Sequence, residues 1–475
     1  MTNGKFPGSP IFFIDCYNVC CMLTTKLPKV GFVSLGCPKN LVDSEVMLGT
    51  LAEHGYAITH SKQDADVLVV NTCGFIDSAK QESIDTILEM ADLKTSGNCK
   101  KLVVAGCLAE RYRDDIRKQI PEIDFVFGPD ELGKILEAVR IGDEPLVDIS
   151  IDSLYTSKEV PTIPRVLSTP SYMAYLKISE GCDHVCTFCA IPGFRGKFRS
   201  RSVNDLVAEA KRLADRGVRE LVLVSQDTMA YGKDLGMDDG ITSLLRQLAA
   251  VDGLHWVRFL YCYPHTITDA LVRLVSEEER LCKYFDIPYQ HASRPVLDRM
   301  LRGGSREIYE RQVERIRKLN PDAGLRTSFI VGFPGETEED FQEVLTFIRN
   351  VEFDNVGVFL YSDEEGTGAF NLDGKVNRRT ASRRRTELMK VQSKISKRKL
   401  RNMVGRTVEV LLEGPSEESD LLLQGRTGAQ APDIDGHVLI NDCGEDFGEL
   451  QARTGEFYPV EITDSMEYDL IGRII

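Results

Sequence analysis

The residues best suited to chemistry stand in the stretch SEGCDHVCTFCAIPGFRG, where Cys182, Cys186 and Cys189 have the spacing CxxxCxxC. Thiols so close on one loop can converge on a metal. A closed structural zinc site takes four protein ligands, whereas a site with an open position takes three. A cube of four irons is ordinarily held by four thiolates. Three would leave one iron free to chelate a small molecule through its amino and carboxylate groups. The competing reading is a zinc knuckle completed by His184 or by a remote cysteine. Three further cysteines, Cys37, Cys73 and Cys107, each close a short apolar run: KVGFVSLGC, ADVLVVNTC and KKLVVAGC.

The elements around these thiols explain their placement. Over residues 29–140, apolar runs alternate with amphipathic segments such as NLVDSEVMLGTLAEHGY, which predicts an α/β domain with a parallel sheet. Each of the three cysteines then falls just past the C-terminal end of a strand, the edge where open parallel sheets hold their ligands. Singly, each would read as a buried structural thiol. Their equivalent placement is what points to a site. Residues 168–400 contain six further apolar runs separated by helical patterns, which predicts a partial (βα)6 barrel with its active site at the C-terminal strand ends. The CxxxCxxC loop follows the first of those strands. Residues 141–167, polar and proline-containing, read as a linker, and residues 401–475 as a small antiparallel β-barrel of OB-like kind.

Composition narrows the classes. A chain of 475 residues is too long for one compact domain. Thirteen cysteines, an odd number in so long a chain, argue against a secreted disulfide scaffold and for metal or redox chemistry in the cytoplasm. No run of about eighteen apolar residues exists, so no membrane span is expected. Residues 1–28 read as an irregular extension: IFFIDCYNVCCML is short, is interrupted by Asp15 and makes a poor signal peptide. Met22 is a candidate start. The net charge of −15 disfavours nonspecific nucleic-acid binding by the chain as a whole.

CxxxCxxC after the first strand of a partial βα barrel, with the aromatic Phe188 directly before the third cysteine, resembles the radical S-adenosylmethionine enzymes. The resemblance implies that Cys182, Cys186 and Cys189 are the catalytic trio holding a 4Fe-4S cluster. Its open iron would bind the methionyl part of S-adenosylmethionine, and an electron would release a 5′-deoxyadenosyl radical. An unactivated C–H bond offers no acidic proton to a positioned base. A cofactor must therefore carry that step while the protein orients it and excludes water. The resemblance also implies cofactor contacts at Phe188, at Gln226 in VSQDTMAYG, and at Gly332 and Gly335 in FIVGFPGETEEDF, with a helix starting near Thr337. Gln290 and His291 lie at another strand end, His291 as a structural hydrogen-bonder.

Cys37, Cys73 and Cys107 ahead of such a core, followed by a small barrel of TRAM kind, resemble one subfamily, the methylthiotransferases, over nearly the whole chain beyond residue 28. That implies a second 4Fe-4S cluster on these three metal ligands, again with an open iron, where a sulfide is methylated and then delivered to a substrate carbon. The remaining cysteines, Cys16, Cys20, Cys21, Cys99, Cys262, Cys282 and Cys443, match no motif position and read as structural or incidental.

The subfamily divides between members acting on tRNA adenosines and a branch acting on an aspartate of a ribosomal protein. From Arg406 to Ile475 there are four arginines, no lysine and sixteen carboxylates, a net charge of −12. A module that grips tRNA needs a basic groove; an acidic one repels RNA and attracts a basic protein. Solubility is the bland account of the same charge. GCPKNLVDSE, LKISEGCDHVCTFCAIPGFRGKFRSR and QAPDIDG resemble the ribosomal-protein branch. The resemblance implies methylthiolation of the β-carbon of one aspartate in the basic small-subunit ribosomal protein number twelve, free or within the subunit. One S-adenosylmethionine would give the methyl group and another the radical, with an electron donor as a further partner. Against this stands KVNRRTASRRRTELMKVQSKISKRKLR, a basic helix with the charge to contact RNA. It reads instead as a solvated helix with Leu388, Val391 and Ile395 packed beneath it and its charge partly neutralised by the acidic barrel. The alternatives are a tRNA adenosine methylthiotransferase and a zinc-containing RNA- or ribosome-binding protein without catalysis.

Overall fold

The computed structural model describes residues 28–141, 164–417, 419–443 and 452–475, with the backbone of Phe12–Phe13. Cys16, Cys20, Cys21 and most of the expected linker lie outside the described residues. Lys29–Ser34 (β1), Val67–Thr72 (β2), Lys101–Gly106 (β3) and Phe125–Phe127 (β4) form a parallel sheet in that order. Ala57–Thr59 pairs parallel and Phe12–Phe13 antiparallel to β1. Helices on both faces account for the near-continuous apolar strands. Pro38–Glu53 (α1) sets Met47, Leu48 and Leu51 against Val30, Phe32, Val67 and Val69. Asp77–Ser96 (α2) sets Ile87 and Met90 against the alternate residues Val33, Leu68 and Val70 on the other face.

Six parallel strands follow: Met173–Lys177 (β5), Glu220–Val224 (β6), Trp256–Phe259 (β7), Tyr284–Asp286 (β8), Gly324–Val331 (β9) and Asn355–Leu360 (β10). They pair as β7-β6-β5 and β8-β9-β10, and an isolated bridge between Val257 and Leu281 joins the two groups. β5 and β10 remain as edges, so the barrel is open along one side. Helices close its outer wall. Val203–Asp215 (α3) starts at Ser202, whose hydroxyl accepts from the Asp205 amide, and buries Leu206, Ala210 and Leu213. Glu338–Val351 (α4) starts at Thr337, where side chain and backbone of Thr337 and Asp340 cap each other reciprocally.

Arg378–Arg401 (α5) is the basic helix, and it buries Leu388 and Ile395 with Val391 partly covered. The source of its neutralisation differs from expectation. Among the described residues its ion pairs with other elements run to Glu336, Glu338, Glu352 and Asp354 of the central domain, not to the terminal barrel. The helix lies along β10 and α4, whose neighbouring carboxylates are the ones within reach.

Thr407–Ser416 (β11), Ser419–Thr427 (β12), Val438–Cys443 (β13), Phe457–Ser465 (β14) and Leu470–Ile474 (β15) close a barrel in the order β11-β12-β13-β15-β14. The barrel is antiparallel except for β13 with β15, which run parallel. Five strands cannot alternate direction all the way round a closed ring, so one pair must. This barrel seals the N-terminal ends of the central strands. Arg426 and Arg258 both grip Glu220, the first residue of β6, at 2.6 and 2.9 Å, and Phe457 meets Trp256, the first of β7, edge-on. Among the described residues, no helix is long and apolar enough to cross a membrane.

Candidate active site

Strand register brings the N-terminal thiols together. Ser34 pairs with Asn71 and Thr72 with Gly106, so Cys37, Cys73 and Cys107 leave adjacent strands on the same edge. The loops touch closely. Gly36 has φ +92°, and a Cβ there would stand 2.7 Å from the Cys73 Cβ; at Gly74 a Cβ would stand 2.8 Å from the Leu108 backbone nitrogen. Asn40 ties the same loops by donating to the Leu35 carbonyl at 2.7 Å and accepting at its own carbonyl from the Asn71 side chain at 2.9 Å. Burial pushes the Cys107 thiol up to about 11 although Arg195 opposes it. Cys73 is also raised, by burial first and then by the neighbouring Cys107 and Cys37.

The second trio sits on the loop after β5. Backbone contacts shape that loop: Cys182 N donates to Gly196 O at 3.1 Å, Cys189 N to Cys186 O at 3.0 Å, and Thr187 N to Met300 O at 3.0 Å. Burial raises the Cys182 thiol to about 11 and Cys189 to about 12. His184, the candidate fourth ligand of a zinc knuckle, is otherwise engaged. Its Nε2 hydrogen-bonds with Asp227 at 2.7 Å and its ring stacks on Tyr263 at 3.8 Å.

All six cysteines line one cavity of about 1550 Å³. That exceeds the roughly 300–1,000 Å³ of a usual small-molecule pocket, leaving room for a cofactor and a macromolecular segment together. Phe188, Gln226, Gly332 and Gln290 line it too. Gly335 stands apart: its N donates to Gly374 O at 2.8 Å, and a Cβ there would meet the Arg299 guanidinium at 2.9 Å. His291 is fully buried, accepts at Nδ1 from Ser293 N at 3.0 Å and faces Glu336, as a structural residue would. Cys99, Cys262 and Cys282 sit in the apolar cores and Cys443 packs against the terminal barrel core.

The residue that joins the trios, Arg195, was not singled out by sequence reasoning. It is 2 % exposed. Its Nε donates to Cys107 Sγ at 3.2 Å, its Nη2 to Asn40 at 3.2 Å, and its Nη1 to Asp43 and Glu180 at 2.9 Å each. Glu180 in turn accepts from Gln226 Nε2 at 2.8 Å and from Lys177 at 2.8 Å. A continuous polar chain thus runs from the N-terminal trio to the strand end that carries Gln226. The only sequence signal was a charged residue within the CAIPGFRG stretch, six residues beyond Cys189.

The donor set suits iron–sulfur chemistry. Six soft thiols are present, and the adjacent histidine is committed elsewhere. One zinc ion, bound about 2.3 Å from each sulfur, needs its thiolates within roughly 4 Å of one another. A cube spreads them wider, because each thiolate binds a different iron. For a bound amino acid the fitting observation is Gln226, which lines the cavity and whose Oε1 is buried without a hydrogen-bond partner.

Three family models match the chain: the uncharacterized protein family UPF0004 over residues 29–128, the radical SAM superfamily over 176–348 and the TRAM domain over 404–475. Among curated relatives, the ribosomal protein uS12 methylthiotransferase RimO of Koribacter versatilis is 49 % identical over 95 % of this chain and 97 % of its own. The protein of the same name from Solibacter usitatus is 50 % identical over 94 % and 95 %. Among solved structures, the radical S-adenosylmethionine methyltransferase TsrM of Kitasatospora setae shares the fold, with a TM-score of 0.50 and 14 % identity over 71 % of this chain and 75 % of that one.

Proposed function

This chain belongs to the RimO family of ribosomal protein uS12 methylthiotransferases, and we propose that it places a methylthio group on the β-carbon of one aspartate of uS12. It is a radical S-adenosylmethionine enzyme that transfers a sulfur group. The observation that carries a reaction between two metal centres is the shared cavity. Two thiol trios on separate domains line one chamber, as they must if a radical made at one is to meet sulfur held at the other.

In this reading Cys182, Cys186 and Cys189 hold one 4Fe-4S cluster, and Cys37, Cys73 and Cys107 hold a second. When bound, the clusters and two molecules of S-adenosylmethionine supply the electron, the hydrogen abstraction and the methylated sulfur that no side chain here can supply. The chain's own residues position and exclude. Gln226 is held through Nε2 by Glu180, and its unpartnered Oε1 would accept from the ammonium of a bound methionyl group. Phe188 and Gly332 line the adjoining wall. Arg195 binds Cys107 and keeps the two loops in fixed relation. The acidic terminal barrel favours a basic protein over RNA, although Arg378 and Arg385 of α5 also line the cavity and give the tRNA reading its support. A ribosomal-protein substrate places the work in the cytoplasm, with an electron donor as the second partner.

Intact-mass comparison of uS12 from cells with and without the gene tests the proposal. A gene-dependent gain of one methylthio group on an aspartate is expected. An unchanged uS12 mass, with methylthiolated tRNA nucleosides that vanish on deletion, would replace it with the tRNA reading.

A further inference from the structure

Three basic side chains in or near the cavity wall have carboxylate partners. Lys177 pairs with Asp43 and Glu180, Arg195 with the same two, and Arg326 with Asp286. Lys39 does not. It is 8 % exposed, lines the cavity beside Cys37, and its Nζ stands 3.5 Å from the centroid of the Tyr261 ring. Burial weighs most heavily against its charge, Tyr261 and Cys37 favour that charge and Arg195 opposes it; among the described residues no carboxylate forms an ion pair with it. Arg302, the other buried cation here without a carboxylate partner among the described residues, is directed to the Pro288 carbonyl and to Cys186.

An ammonium withdrawn from water is costly unless anions face it, and on this wall the Cys37 sulfur is the one anionic neighbour that bears on Lys39, with no carboxylate paired to it among the described residues. Tyr261, which supports Lys39, itself holds a left-handed backbone at φ +63°, kept there by hydrogen bonds to Asp286 and Thr228. Residues with β-carbons adopt that conformation at a cost, and such costs gather where a side chain is aimed for use. The result is a cation with an aromatic floor, facing a chamber large enough for a protein segment, next to the N-terminal thiol trio.

We propose that Lys39, resting on Tyr261, is the carboxylate subsite that receives the side chain of the acceptor aspartate. The inference rests on the protein-substrate reading above. A carboxylate held there sets the adjoining β-carbon beside the Cys37 loop, where the sulfur is delivered. It also rejects uncharged acceptors, because a neutral amide leaves the ammonium unpaired.

The test is binding of reconstituted full-length enzyme to uS12, with the aspartate identified by mass analysis either intact or changed to asparagine. Wild-type enzyme is expected to bind the aspartate form about ten-fold or more tightly. Lys39→Met should bring the two affinities within about two-fold, and Lys39→Arg should keep most of the difference. Equal affinities for wild-type enzyme would overturn the proposal without any enzyme variant. So would a ratio unchanged by Lys39→Met, including the case where that variant loses iron, which would assign Lys39 to the cluster instead. Wild-type enzyme that neither binds nor modifies uS12 in any form would remove the underlying reading, and the inference with it.

Discussion

Arg195 lies against Cys107, its Nε donating to the sulfur at 3.2 Å although the two residues are 88 apart in the chain. The contact fastens the loop of the second trio to the first. Arg195 also satisfies Asp43 and Glu180, both 2 % exposed or less. Removing Arg195 leaves Lys177 alone between the two carboxylates, and losing one partner of a buried ionic cluster costs about 3–5 kcal/mol.

Arg195→Met is therefore expected to destabilise the protein by about that amount, measured by denaturant unfolding of the apo chain. Arg195→Lys should recover only part of it, since a single ammonium cannot reach Cys107, Asn40 and two carboxylates as the planar fork does. A loss below 1 kcal/mol for the methionine variant would show that the network is solvated rather than structural.

The two trios should separate by product. Anaerobically reconstituted wild-type enzyme is expected to carry about eight irons per chain, four for each cube. Cys107→Ala should retain formation of 5′-deoxyadenosine and lose modification of uS12. Cys186→Ala should lose both. Chromatography of the nucleoside together with intact mass of uS12 reads each arm, and zinc in place of iron would restore the non-catalytic alternative.

What was readable from sequence was whatever repeats at short range. The strand ends at Cys37, Cys73 and Cys107 follow from apolar runs closed by a thiol, and the start of α4 follows from Thr337, a side chain suited to cap a helix. Leu388, Val391 and Ile395 were legible on α5 because a helix repeats its buried face every three to four residues. Arg195 and Lys39 were not, since each takes its meaning from a partner on another domain or another strand end. The destination of the α5 charges is hidden for the same reason: composition counts the acids of a domain but not which ones a helix can reach.

Acid should weaken the joint between the first two domains. Burial by itself would raise the Glu209 carboxyl, but Arg201 and Arg165 outweigh it and hold the group at about 2 against an ordinary 4.5. Its folded value is depressed, so its stabilisation is complete above about pH 4.5 and is lost as pH falls from there toward 2, a contribution on the order of 3 kcal/mol. Arg165 also binds Glu45 of α1, so the same pair anchors the N-terminal domain. Glu209→Gln should be less stable at neutral pH and lose less stability on acidification, as equilibrium unfolding at several pH values would record. Parallel pH profiles for the two proteins would contradict this assignment.

Two glycines near the thiols make a matched pair. Gly36 combines a left-handed φ with a Cβ position 2.7 Å from the Cys73 Cβ and 3.0 Å from its sulfur, so alanine there must bend the backbone or displace the thiol. Gly193 lies within the short helix Ile191–Arg195, and a Cβ there meets nothing within 4 Å. Gly36→Ala is expected to cost more than about 1 kcal/mol and to reduce the iron held after reconstitution. Gly193→Ala should leave both unchanged or raise stability by up to about 1 kcal/mol, as a helix-interior glycine replacement does. Denaturant midpoints and iron per chain for the two variants decide it. Equal behaviour would mean that the Cys37 and Cys73 loops have slack that their close approach denies.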